Sequence, residues 1–181
     1  MKFTATAARR GAAMAAIAAA AILTPAIALA SSGSPAGASA TAVPQCSTSG
    51  LVVWLNTMGN GAAGNIAYQL QFTNLSGHTC TLFGYSGVSG VNLRGQQVGE
   101  PAHRSPAIPR QLVTLANGAT AKETILIAEV GDFPKAVCRP VTAAGLRIYP
   151  PNQFASKVVP FPFGACSRSG VQYLQVWPVQ K

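Results

Sequence analysis

The chain has 181 residues, of which 9% are charged and 49% hydrophobic, and its 13 basic and four acidic residues give a formal net charge of +9. This length suits one domain with extensions. Three of the basic residues, Lys2, Arg9 and Arg10, lie at the N-terminus, and the remaining ten minus four acids leave +6. Those ten are spread from Arg94 to Lys181 without a run, which argues against a nucleic-acid surface. They predict a mildly cationic surface, and attraction to anionic wall polymers or lipid headgroups is the more specific alternative.

Residues 1–30 have the pattern of a secretory signal peptide. The three basic residues above are followed by a small-residue apolar segment, Ala12–Ala26. Ala28-Leu29-Ala30 fits the small-x-small cleavage rule and predicts cleavage after Ala30. Ala38-Ser39-Ala40 is a second candidate, with cleavage after Ala40. We therefore expect a protein that is secreted and extracellular, in some settings associated with the cell wall.

Two alternatives for the leader are weaker. A twin-arginine signal would need a bulky apolar pair after Arg10, and the chain has Gly11-Ala12-Ala13. An uncleaved anchor is disfavoured by the alanine-rich composition and by Pro25. Residues 31–45 are rich in Ser, Gly, Ala and Pro and predict a flexible linker, so the folded domain is expected over 46–181. No later apolar run is long enough to span a membrane, so the mature chain is expected to have no transmembrane segment.

The remaining chain is a series of short β-prone runs separated by turn signals. They are Leu51–Leu55, Ile66–Thr73, Thr81–Phe83, Leu112–Leu115, Ala121–Val130, Leu146–Ile148, Val158–Phe163 and Val171–Trp177. About eight strands without a convincing amphipathic helix predict a single all-β domain, an antiparallel β-sandwich.

Details of the pattern predict where individual segments lie. Leu51–Leu55 is apolar on both faces and predicts a central strand, whereas the prolines in Val158–Phe163 predict an edge strand. Asn117-Gly118 predicts a tight turn. Residues Leu93–Val98 predict a small hairpin. The segment Gly99–Arg110 contains three prolines and predicts a long exposed loop.

Four cysteines, Cys46, Cys80, Cys138 and Cys166, predict two disulfides in an exported chain. Sequence allows three connectivities. Cys46–Cys80 and Cys138–Cys166 are favoured because they close the shorter loops, 34 and 28 residues apart (80 − 46 and 166 − 138). No two cysteines are close enough for the usual paired metal ligands, and none is left over as a nucleophile.

Several segments together resemble a known family. They are Cys46, Gly64-Asn65, Leu70–Asn74, Ser76-Gly77, Cys80–Leu82, Gly84-Tyr85, Leu115–Ala121, Cys138 and Leu146–Pro151. In this order they resemble the domain of unknown function 4232 family of exported actinobacterial proteins and lipoproteins, over about Cys46 to Trp177. Asn117 departs from the proline that the family often has before the glycine. The resemblance implies an exported, disulfide-bonded, immunoglobulin-like sandwich, and it carries no functional residues.

Catalytic and metal sites find little support in the sequence. Gly84-Tyr85-Ser86-Gly87-Val88 is similar to a nucleophile elbow, but it has valine at the last position and no helix follows it, so Ser86 is interpreted as a turn residue. Glu123 and Glu129 are too far apart along one strand for a glycosidase pair. Glu100 and His103 have a helical ligand spacing in a segment whose prolines disfavour a helix. We therefore expect no catalytic residues, no cofactor and no metal.

Binding is the better-supported role. The proline-stiffened Gly99–Arg110 loop carries His103, Arg104 and Arg110, which makes it a candidate binding loop, although most surface loops are only connectors. Trp54, Trp177 and Tyr68 are an alternative aromatic platform for sugars, but strand positions favour core roles for them. The leading hypothesis is a monomeric, non-enzymatic envelope module that binds a protein or an anionic cell-wall polymer. A wall-directed hydrolase and a small exported protease inhibitor are the alternatives.

Overall fold

A computed structural model describes residues 42–181, so the predicted signal peptide 1–30 and residues 31–41 of the predicted linker lie outside the described residues. The described chain is mostly β, with eleven strands, a single 3-10 turn at Val130–Asp132 and one short helix, α1, at Lys135–Cys138. The strands are β1 Leu51–Ala62, β2 Asn65–Asn74, β3 Cys80–Phe83, β4 Gly87–Val91, β5 Gln97–Val98, β6 His103–Arg104, β7 Leu112–Leu115, β8 Thr120–Ala128, β9 Pro140–Tyr149, β10 Lys157–Cys166 and β11 Leu174–Val176. Neither helical segment of residues 42–181 has the length and apolar character needed to cross a membrane.

The strands form three sheets, and nearly all neighbours are antiparallel. A five-stranded sheet has the order β1-β2-β8-β11-β6, a four-stranded sheet has the order β10-β9-β4-β5, and β3 pairs with β7 alone. The one parallel pair of named strands in the described chain is β11 with β6. The predicted antiparallel β architecture is therefore present, with eleven strands instead of about eight, and β1, β9 and β10 extend well beyond the predicted runs.

Strand β2 shows how the sequence builds the core. Alternate side chains of a strand point to opposite faces, and Leu70 and Phe72 on the inner face are fully buried. The strand pairs with β1 on one side and with the whole of β8 on the other. The turn that follows is stabilised by Asn74, whose Oδ1 accepts a hydrogen bond from the backbone N–H of Ser76 at 3.0 Å. This stretch is the scaffold of the five-stranded sheet.

The central position predicted for the first strand is wrong. Strand β1 lies at the edge of its sheet, and on its outer face Val52 and Trp54 are 46% and 42% exposed. Its apolar outer residues therefore meet solvent instead of a second layer. The edge position predicted for Val158–Phe163 is confirmed, because β10 ends the four-stranded sheet and pairs with β9 alone.

The core lies where inner faces of the sheets meet. Tyr68 of β2 and Phe161 of β10 pack edge to face with ring centroids 5.0 Å apart. Leu146 and Ile148 of β9 are fully buried in the same cluster as the inner residues of β2. Close packing explains why Gly90 is found in β4, because a Cβ there would lie 2.6 Å from the Tyr173 hydroxyl. A short glycine-containing strand of this kind gives little periodic signal in the sequence.

The segment predicted as one long exposed loop is only partly a loop. Two of its residues form β6, which lies beside β11, and Ser105 is buried, with its N–H donating to the Val176 carbonyl at 2.9 Å. The rest of the segment is loop, because residues 99–102 connect β5 to β6 and residues 105–111 connect β6 to β7. The small hairpin predicted at Leu93–Val98 is the turn and second strand of a hairpin formed by β4 and β5.

Both favoured disulfides are confirmed. Cys46 is bonded to Cys80 at the start of β3, and Cys138 of α1 is bonded to Cys166 at the end of β10. The first bond fixes the beginning of the domain, where the Thr81 N–H also donates to the Pro44 carbonyl at 2.8 Å. The second bond closes a loop of 28 residues around β9 and β10.

Candidate binding cleft

A cleft of about 450 Å³ opens where three connections meet at one end of the domain. These are the β3–β4 connection, the segment from β6 to β7, and the β9–β10 connection. Gly84 turns the chain out of β3 with a φ of +92°, a conformation that a residue with a side chain rarely adopts. Asn152 ties the β9–β10 connection to the end of β3, because its Nδ2 donates to the Phe83 carbonyl at 3.4 Å.

Two arginines reach this cleft, Arg104 from β6 and Arg110 from the segment between β6 and β7. The Arg104 guanidinium carbon lies 6.0 Å from the ring centroid of Tyr85, and that of Arg110 lies 5.7 Å from the ring centroid of Phe83. Guanidinium groups at this range are attracted by the electron-rich ring face. Both side chains are exposed. Among the described residues that line the cleft, these two are basic and none is acidic.

Aromatic and amide side chains complete the walls. Tyr85 is held in place because its hydroxyl donates to the Ser105 carbonyl at 3.0 Å. Tyr149 at the end of β9 and Phe154 in the following connection also line the cleft, and Phe154 is 98% exposed. Gln153 Oε1 accepts from the Thr48 N–H at 3.3 Å, which ties this connection to the first turn of the domain. The result is a cationic cleft with aromatic walls.

A buried carboxyl lies behind the cleft. Glu123 of β8 and Ser86, which follows Tyr85, are each only 1% exposed. The Ser86 N–H donates to Glu123 Oε1 at 3.0 Å, and its hydroxyl donates to Oε2. Burial raises the pKa of Glu123 from 4.5 to about 8, against the opposing effects of the Ser86 hydrogen bonds and of the Arg104 charge. At neutral pH the carboxyl is therefore mostly protonated. In that form its own O–H donates to the Ser86 hydroxyl oxygen, and the pair still holds the backbone beneath Tyr85.

The Ser86–Glu123 pair changes the interpretation of Ser86. It is not a turn serine but a buried side chain whose hydroxyl is bonded to a buried carboxyl. The histidines lie elsewhere: His78 Nδ1 contacts the Ser76 carbonyl at 3.1 Å, and His103 lines a separate depression beside Gln175. The geometry is that of a structural pair.

The candidate binding loop is thus divided by the structure. It brings Arg104 and Arg110 together in one cleft, while His103, one residue earlier in a strand, lies outside that cleft. Sequence reasoning missed the aromatic walls, Tyr85 and Tyr149, because the segments that carry them are far apart in the chain. The one sequence feature that marks this part of the cleft is Gly84-Tyr85-Ser86, which resembles a nucleophile elbow only in part.

Metal ligation has no support within residues 42–181, because no three His, Cys, Asp or Glu side chains come together there. Glu100, which was paired with His103 by sequence spacing, accepts a hydrogen bond from the Gly170 N–H at 2.8 Å.

The fold and the cleft together define a disulfide-bonded β domain with a cationic, aromatic surface cleft. Residues 46–180 match the model of a family described as a domain of unknown function, DUF4232. The chain belongs to this family, as the series of motifs from Cys46 to Pro151 predicted. No curated protein and no solved structure matches the chain.

Proposed function

We propose that the mature protein is an exported, non-enzymatic binding module whose cleft holds an anionic group of a cell-envelope polymer. The observation that carries this proposal is the convergence of Arg104 and Arg110 on one aromatic cleft whose described lining has no acid. Export is supported by the leader pattern and by two disulfides, since such bonds persist in oxidising compartments. The module acts as a monomer with an immunoglobulin-like arrangement of its two larger sheets, supported by the Tyr68–Phe161 contact between them.

The chemistry of the cleft indicates the class of ligand. A guanidinium presents planar pairs of N–H donors that match the oxygens of a phosphate or carboxylate. The rings of Phe83 and Tyr85 keep these donors in position and offer apolar surface beside them. The volume of about 450 Å³ is that of a small-ligand site. It suits one or two units of a phosphodiester or carboxylate polymer.

A non-enzymatic role is supported by the burial of the potential catalytic side chains near the cleft. The serine and carboxyl nearest the cleft are buried against each other and leave no exposed nucleophile or general base there. No specific observation favours the wall-directed hydrolase. The protease inhibitor is also not favoured, because part of the segment that would be its rigid loop is a strand of the five-stranded sheet.

The test is a binding titration with matched charge variants. The mature chain is titrated with polyglycerol phosphate and with polygalacturonate by isothermal calorimetry. The double variant Arg104→Gln/Arg110→Gln is compared with Arg94→Gln/Lys135→Gln, which removes the same charge from exposed positions outside the cleft. Charge-assisted hydrogen bonds contribute about 1.5–3 kcal/mol each. Two such bonds sum to about 3 kcal/mol or more, so we expect the cleft variant to lose about a hundredfold or more in affinity, and the control to stay within about twofold.

Two results would contradict the proposal. One is the absence of binding to both polymers at low ionic strength, where exposed charges are least screened. The other is an equal loss of affinity in the two double variants, because that would assign the attraction to net charge and not to the cleft.

A further inference from the structure

The outer face of the five-stranded sheet carries a second set of side chains with binding chemistry. In β2 the inner residues Leu70 and Phe72 are fully buried, so the alternating residues Gln69, Gln71 and Thr73 lie on the outer face. This face is polar at its centre and shares no residue with the cationic cleft.

One row across this face combines an indole, an amide and an amine. Trp54 of β1 is opposite Gln71 of β2, and Gln71 is opposite Lys122 of β8. Trp54 is 42% exposed, so its ring offers a flat apolar surface to solvent. Gln71 is only 9% exposed, and within residues 42–181 no side-chain hydrogen bond involves it. Trp177 Nε1 is the one fully buried side-chain nitrogen or oxygen there without a partner, so the Gln71 amide, although mostly covered, keeps some surface and has an unused hydrogen-bonding group.

A second tryptophan lies on the same face, three strands away. The backbone N–H of Trp177 donates to the Thr124 carbonyl at 2.9 Å, so the chain continues alongside β8 beyond the end of β11. Three strand spacings place Trp177 about 14 Å from Trp54 across the sheet. Between them Gln69 Nε2 donates to Thr124 Oγ1 at 3.0 Å. This hydrogen bond fixes the side chains between the two indoles before any ligand arrives.

We propose that this face binds an uncharged polysaccharide, with Trp54 as the exposed stacking platform and Gln71 as a hydrogen-bonding group beside it. A sugar ring has an apolar face of C–H groups and a rim of hydroxyls, so it complements an indole next to an amide. The low charge of this face favours an uncharged ligand. Lys122 is the single charged residue on the outer faces of β1, β2, β8 and β11. A protein interface would have an apolar centre, whereas amides and hydroxyls occupy the centre here. An anionic polymer would require more cations.

The experiment uses the mature chain and two neutral polysaccharides. Retention on insoluble cellulose and chitin is measured, together with tryptophan emission during titration with the corresponding hexasaccharides. We expect retention on one of them and a change in emission on binding. The substitution Trp54→Ala is expected to reduce affinity about tenfold or more, and Trp54→Phe, which keeps a ring, to restore part of it.

Three controls make the result specific. Val52→Ala, on the same strand and equally exposed, should stay within about twofold of the wild type. Gln71→Ala should weaken binding without changing the stacking contribution of Trp54. The double variant Arg104→Gln/Arg110→Gln should bind these sugars normally. This control separates sugar binding by the sheet face from anion binding by the cleft, so either proposal can be rejected without the other. The proposal is overturned if neither polysaccharide retains the wild type, or if Trp54→Ala binds as tightly as Val52→Ala.

Discussion

Replacement of Glu123 by Gln tests how the buried pair behind the cleft is held. A Gln side chain has the shape of a protonated Glu: its oxygen can accept from the Ser86 N–H, and its amide can donate to the Ser86 hydroxyl. The substitution therefore keeps the contacts of the neutral carboxyl and removes its ability to ionise. We expect the variant to fold normally and to lose a pH dependence that the wild type has.

The size of the effect follows from the raised pKa. Burial holds the pKa of Glu123 at about 8 in the folded protein, against 4.5 for the ordinary group. Between these values the folded chain keeps a proton that the unfolded chain releases, so wild-type stability falls as pH rises, by about 1.4 kcal/mol per pH unit. From pH 5 to pH 7 this is a loss of about 2.5 kcal/mol.

Urea denaturation at pH 5, 6 and 7 measures this difference directly. The Glu123→Gln variant is expected to be more stable than the wild type by about 3 kcal/mol at pH 7 and by about 1 kcal/mol at pH 5. The matched control is Glu129→Gln, the same change at an exposed carboxylate just beyond β8, which should alter stability by about 0.5 kcal/mol at most. A variant less stable than the wild type at pH 7 would refute the reasoning, because it would show that the native fold uses the ionised carboxylate.

Two further predictions concern the scaffold. Gly99→Ala should lower the free energy of unfolding by about 3 kcal/mol or more, because the residue has a φ of +62° and its Cβ would lie 2.0 Å from the Cys166 carbonyl oxygen. The control is Gly118→Ala, because Gly118 has a φ of +84° and no atom near the position of a Cβ. This substitution should cost about 1–2 kcal/mol. Equal losses of stability in a thermal melt would show that position 99 is not packed against the Cys166 carbonyl. Replacing Cys138 and Cys166 together by Ser should cost about 3.5 kcal/mol, the value expected for a loop of 28 residues. An unchanged urea midpoint would mean that this crosslink does not constrain the unfolded chain.

Local pattern predicted the parts of the fold that depend on local chemistry. The alternation in β2, the Asn117-Gly118 turn and both disulfides were all accessible from spacing and residue type. Family membership followed from the same local motifs. The central position predicted for β1 was wrong for a different reason. The apolar residues of a strand do not specify which strands will pair with it. Its exposed Trp54 and Val52 are found only when the sheet order is known.

The candidate site could be predicted only in part for a related reason. Arg104 and Arg110 are close in sequence and were identified together, but the aromatic walls come from segments that only the tertiary fold brings to them. Glu123 was unexpected because burial of a charged residue depends on a partner, and Ser86 is 37 residues away in the chain. The alternation of β8 does indicate its orientation. Glu123 lies two residues from Ala121 and from Ile125, both buried, and therefore shares their inner face.

Amide chemical shifts of the mature chain, mapped during titration with polyglycerol phosphate, show directly whether the cleft holds the anionic group. We expect the largest changes at Tyr85, Arg104, Arg110 and the Asn152–Phe154 connection around the cleft. These changes should saturate with one affinity and weaken as salt is added. Changes that are absent from these residues, or that are spread over the exposed lysines and arginines at large, would contradict binding in the cleft.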